Sequence, residues 1–178
     1  VLRLPVRPMI GTIWTAPAAE RRYAYVYDIG NGGNVDCPEL GPGATVHLPV
    51  SVAGAMLSLG DVHACMGDGE ITGMAMETSA DVRLRVDLVK AAESRFLVCP
   101  QLESARTIGS IGCRFGQPLG ENVKTGFHDM VRRLHRFHGF DLIEAYELLA
   151  LAGEVRVHQC LDSWNAALVK LDKRYLET

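Results

Sequence analysis

Two pairs of ionisable side chains crowd one short stretch of this 178-residue chain: the carboxylate and imidazole of Asp61 and His63, then the two carboxylates of Asp68 and Glu70, inside residues 59–70 with apolar flanks. On a strand, residues two apart face the same way. Asp61 and His63 therefore project together, as do Asp68 and Glu70. Between them Met66-Gly67-Asp68-Gly69 reads as a hairpin turn, which folds the second pair back toward the first. Carboxylates and an imidazole converging from a strand and its return suit Zn²⁺ or a similar divalent ion. Such an ion makes water a nucleophile at neutral pH, and a nearby carboxylate can carry its protons. Glycines 60, 67 and 69 allow a sharp turn and a close approach of substrate. A second reading stands beside this one: Asp-Gly is common in solvated turns, and a lone histidine often sits hydrogen-bonded in a core.

A second segment, Gly32-Gly33-Asn34-Val35-Asp36, offers turn chemistry on one reading and, on another, a loop presenting Asn34 and Asp36 to a substrate or metal. His128 and His135, seven apart among arginines, read as a solvated helical face. No nucleophile elbow, phosphate loop or dinucleotide fingerprint occurs. The charge balance, 18 Lys and Arg against 21 Asp and Glu, leaves no strongly basic surface, so nucleic acid is not an expected partner. No apolar run reaches the ~18 residues of a membrane span. The five cysteines are odd in number and form no C-x-x-C pair, which fits free thiols in a reducing cytoplasm rather than a disulfide framework.

The elements that must position these residues are mostly strands. Residues 9–15 are apolar and β-branched and stop at Ala16-Pro17-Ala18. Residues 23–28, 44–53, 55–65, 70–77, 95–99 and 106–111 are further strand candidates. The clearest alternation puts Val82, Leu84, Val86 and Leu88 on one face and Arg83, Arg85 and Asp87 on the other, a strand with one wet face. The glycine-rich stretch 28–43 is long enough to be a functional loop. Later the period changes. Phe127, Met130, Val131 and Leu134 recur at helical spacing until Gly139. Asp141 with Glu144 forms a capping box for a second helix over 142–151, ended by Gly153. A strand over 154–161 follows, then a short helix over 163–170. The pattern is a β-rich α+β fold, sandwich-like or barrel-like sheets with a C-terminal pair of helices. Residues 1–178 read as a single unit, mainly β over 1–120 and helical with a final strand over 121–178.

These segments resemble the acetamidase/formamidase family. The matching stretches are Arg7-Pro8-Met9-Ile10-Gly11 with Ala16-Pro17-Ala18, then Gly32 to Asp36, then Glu39-Leu40-Gly41-Pro42-Gly43-Ala44-Thr45 with Leu48-Pro49-Val50. Gly60-Asp61-Val62-His63-Ala64 follows, running through Gly67-Asp68-Gly69-Glu70 to Glu77-Thr78. They keep the family's order and gaps, and residues 141–161 are similar to the family's ending. Two positions depart from it: glycine is usual where Val62 stands and glutamine where Met66 stands, which bears on substrate range.

The resemblance implies hydrolysis of a small amide to carboxylic acid and ammonia, with a bound divalent metal, zinc by preference. On that basis Asp61 and His63 are the expected metal ligands with Asp36 as a third. Glu70 is the expected general base, Asp68 orients it or binds metal, and Asn34 holds the substrate amide. The alternatives are a non-catalytic subunit completing a partner amidase, and a hydrolase of a cyclic or larger amide. Family chains are much longer, and this one resembles their C-terminal portion. A start at Val1, directly in an extended pattern, reads as a cut point. The chain is thus expected to join a second chain or an N-terminal portion of the same enzyme in an oligomer. Val1 carries no nucleophile, which disfavours a catalytic N-terminus.

Overall fold

The computed structural model describes residues 1–19, 30–90 and 98–176. The strand candidate 23–28 and most of 95–99 lie outside these residues. Among the described residues, nine strands form two antiparallel sheets. The first sheet has the order β2-β1-β4-β5, from β1 (Met9–Trp14), β2 (Gly32–Asn34), β4 (Ser58–Cys65) and β5 (Met76–Glu77). The second has the order β3-β6-β7-β9-β8, from β3 (Thr45–His47), β6 (Gln101–Glu103), β7 (Thr107–Cys113), β8 (Glu154–Leu161) and β9 (Trp164–Asp172). Both sheets are open, so the architecture is a sandwich and not a barrel. Helices α1 (Leu119–Phe137) and α2 (Leu142–Ala152) cover the outer face of the second sheet.

Two apolar layers hold this stack together. Between the sheets lie Ile13, Val35, Cys37, Leu40, Leu102, Ile111 and Leu168. Between the second sheet and the helices lie Ile108, Met130, Leu134, Ala145, Leu149, Val169 and Leu171. Strand β1 shows the alternation that feeds the inner layer, with Met9, Gly11 and Ile13 buried. Helix α2 begins on a complete capping box: the Asp141 carboxylate accepts from the Ile143 and Glu144 amides, and the Glu144 side chain accepts from the Asp141 amide.

Four expectations need correction. Residues 163–170 are not a helix but most of β9, paired to β7 on one side and β8 on the other. Leu168 faces one apolar layer and Val169 the other, so this central strand lacks the alternation that marks a half-buried one. Two strands, therefore, follow the helices. Helix α1 starts two turns before its apolar periodicity, because Asn122, Gly126 and Asp129 occupy its inward stripe. Residues 82–88 are exposed and belong to no strand, since no described strand offers them hydrogen bonds. Residues 70–77 do not return directly from a tight hairpin. Only Met76–Glu77 pairs with β4, and residues 66–75 swing across to the second sheet. Gly69 N–H donates to Val157 O over 3.0 Å, and Cys160 N–H donates to Gly69 O over 2.8 Å.

Candidate active site

The register of β1 on β4 pairs Ile10 with Val62 and Thr12 with Gly60, which sets Gly11 against Asp61. A side chain at position 11 has no room: a Cβ there would sit 2.5 Å from Asp36 Oδ1 and 2.7 Å from Asp61 Oδ2. Glycine at this point lets two carboxylates close over the strand. Asp36 lies two residues past the end of β2, and its amide donates to Gly11 O over 3.0 Å. His63, two residues along β4, brings Nε2 to 3.3 Å from Asp61 Oδ1 and 3.5 Å from Asp36 Oδ1. One ligand atom from each of Asp36, Asp61 and His63 lies within 4.8 Å of the others.

Burial makes this arrangement costly as it stands. Asp36 and His63 are each 1% exposed, and Asp61 is half-open with its side chain at 28%. Asp36 Oδ1 and both His63 ring nitrogens have no hydrogen-bond partner among the described residues. Burial, and then the charges of Glu70 and Asp61, raise the Asp36 carboxyl above the usual range. Burial likewise raises Glu70. The backbone is strained at the same residues: Asp36, Asp61 and Glu70 all adopt positive φ, at 39°, 56° and 43°. Orphaned buried donor atoms, mixed nitrogen and oxygen ligands and clustered negative charge fit a divalent cation.

The remaining residues surround these three. Asn34 Nδ2 donates to Asp36 Oδ2 over 2.6 Å, and its Oδ1 accepts from Thr12 Oγ1. One N–H of this amide thus holds Asp36. Glu70 is buried beside the group, carried there by the docked 66–75 segment. Asp68 stands apart, gripped by Arg156 Nε at 2.6 Å, and Arg156 in turn reaches Glu39 Oε2 at 2.9 Å. That pairing pins the segment to β8. Gln159, also on β8, donates from Nε2 to Asp36 Oδ2 and lies 3.4 Å from Glu70 Oε2. Thr12 and Gln159 carry no signal of their own in the sequence, and Gly11 stands out there only within the stretch Arg7 to Gly11; Gln159 stands 123 residues from Asp36. His128 and His135 are exposed on α1. A groove of about 650 Å³, lined in part by Val46, Leu48, Glu103, Arg133 and Phe137, includes none of the clustered residues.

Residues 6–171 match the model of the Acetamidase/Formamidase family. An acetamidase of Mycolicibacterium smegmatis is 46% identical over 61 residues, 34% of this chain and 15% of that protein. A formamidase of Methylophilus methylotrophus is 39% identical over 67 residues, 37% of this chain and 16% of that protein. The crystal structure of an acetamidase from Yersinia enterocolitica superposes with a TM-score of 0.90 at 36% identity, covering 98% of this chain and 51% of that one. The chain thus spans about half the length of this solved relative, and the aligned stretches span far less of the curated ones. No helix among the described residues is long and apolar enough to cross a membrane.

Proposed function

The chain belongs to the acetamidase/formamidase family, and on that premise we propose that it carries the site for hydrolysing a small formamide- or acetamide-like amide to a carboxylic acid and ammonia. The observation that carries the reading is the group of Asp36, Asp61 and His63, with one ligand atom of each within 4.8 Å of the others and unpartnered buried atoms on Asp36 and His63. These three would hold a divalent cation, zinc by the nature of the donors. When bound, the ion supplies Lewis acidity, polarising an amide carbonyl and acidifying water. Glu70 then serves as base: its raised carboxyl takes a proton from the attacking water as the carbon–oxygen bond forms. The same carboxyl returns that proton to the nitrogen as the carbon–nitrogen bond breaks. Asn34, with Thr12, keeps the Asp36 carboxylate in place, and Asp68 with Arg156 holds the segment that bears Glu70.

Residues 1–178 act here as one unit, because the site draws on both sheets. The uncovered apolar row at Val82, Leu84, Val86 and Leu88 supports a further segment, from the same protein or a second chain, that completes the enzyme and its oligomer. Five free thiols suit a cytoplasmic setting. The test joins metal analysis to ammonia release over a panel of small amides. Stoichiometric zinc, loss of turnover in chelator and loss of both metal and turnover in a folded His63→Ala variant are the expected results. Full turnover without divalent metal overturns the metal role. In Glu70→Gln, kcat falls on the order of 10²–10⁴; activity within a few-fold of the parent rejects Glu70 as base.

A further inference from the structure

The pairing of β8 with β9 slips by one residue between Val157, opposite Ala167, and Gln159, opposite Ala166. On a regular strand His158 and Gln159 would face opposite sides. At this irregularity both are buried in succession, and the Gln159 amide turns into the carboxylate group. On either side of it, Val157 O and Cys160 N–H clamp Gly69, the neighbour of Glu70. One short length of β8 therefore fixes both the segment that carries Glu70 and a side chain that reaches Asp36.

We propose that Gln159 is the positioning residue that ties the cation-holding carboxylate of Asp36 to the base Glu70. This rests on the function proposed above. An amide nitrogen has two hydrogens, so Nε2 can donate to Asp36 Oδ2 and to Glu70 Oε2, 3.4 Å away, at once. Asn34 Nδ2 donates to the same Asp36 Oδ2 over 2.6 Å. With Oδ2 held twice, Oδ1 is the oxygen left facing His63, at 3.5 Å from Nε2. Together with Asn34, Gln159 thus decides which Asp36 oxygen is offered to the cation, and Gln159 sets the distance from that carboxylate to the base. Groups that orient metal ligands in this way contribute on the order of 10–100-fold to affinity or activity.

The experiment uses the full chain in its natural protein, with zinc affinity from competition against a chromogenic chelator as the first measurement. Gln159→Leu is expected to weaken zinc about 10–100-fold and to lower kcat while KM stays within a few-fold. Gln159→Asn keeps a buried amide but falls one carbon short of spanning both carboxylates, and it is expected to show the same loss. Should the leucine variant fail to fold, the asparagine variant carries the test. Adding Gln159→Leu to Glu70→Gln is expected to lower kcat little beyond Glu70→Gln alone, since part of the effect passes through Glu70. Zinc affinity and kcat within twofold of the parent in both Gln159 variants, with Glu70→Gln and His63→Ala behaving as expected, overturn the role of Gln159 alone. Full turnover in Glu70→Gln and His63→Ala instead overturns the reading of the site.

Discussion

Gly11→Ala adds one methyl group at the most crowded point of the site. The φ of Gly11 lies outside the left-handed region, so alanine meets no backbone strain there and the effect is steric alone. The new carbon would stand 2.5 Å from Asp36 Oδ1, 2.6 Å from the Asp61 carbonyl oxygen and 2.7 Å from Asp61 Oδ2. All three oxygens are well inside ordinary van der Waals contact. The Asp61 carbonyl belongs to a paired strand, so the two carboxylates are the groups that must retreat. Overpacking of this kind costs about 1–3 kcal/mol. Taken from the cation-holding geometry, that is about 5- to 150-fold in affinity, at ~1.4 kcal/mol per decade. The assay is a zinc titration against a competing chelator, run beside urea denaturation to follow the fold. Gly60→Ala is the control. It changes the residue before Asp61 on the same strand, where an added Cβ meets nothing within 4 Å. Parent-like zinc affinity in a folded Gly11→Ala protein refutes the assignment of these carboxylates as ligands. An equal loss in Gly60→Ala shows that any change in β4 has the same effect, and refutes the steric argument.

His158 is fully buried, and burial pulls its pKa from 6.5 down to about 4. Its ring stays neutral in the fold while the unfolded chain protonates, so this contribution to stability is whole above pH 6.5 and is lost as pH falls toward 4. Between pH 7 and 5 that amounts to about 2 kcal/mol, and His158→Gln is expected to remove this part of the decline in urea unfolding; an unchanged pH slope refutes it. Asp141→Ala removes the cap of α2 and is expected to cost about 0.5–2 kcal/mol, read by the same method, with no change in zinc affinity.

Much of the fold is written in local pattern. The capping box at Asp141 and Glu144 marks the start of α2, and the β-branched run of residues 9–15 marks β1. Features that depend on distant partners are not. Strand β9 is buried on both faces, so its apolar run has no period to separate strand from helix. The first turns of α1 face the sheet with Asn122 and Gly126, and Asn122 Nδ2 bonds Asn165 O over 2.6 Å instead of packing as a hydrophobe. Residues 82–88 have the right alternation without a described partner, and alternation alone forms no strand. The site divides along the same line. Asp36, Asp61, His63 and Glu70 stand out by residue type within glycine-rich segments. Gln159 is an ordinary glutamine in a strand, and only the slip in register aims it at them.

The three positive φ values at Asp36, Asp61 and Glu70 have a consequence for how such a chain changes over generations. Left-handed backbone costs an L-residue about 1–2 kcal/mol, a penalty that glycine escapes. At each of these positions, replacing the carboxylate by glycine relieves the backbone, and at Asp36 and Glu70 it also removes a buried carboxyl group. Selection for thermal stability alone would therefore carry all three positions toward glycine or asparagine. A lineage released from its substrate should lose its carboxylates here first, while the sandwich around them persists.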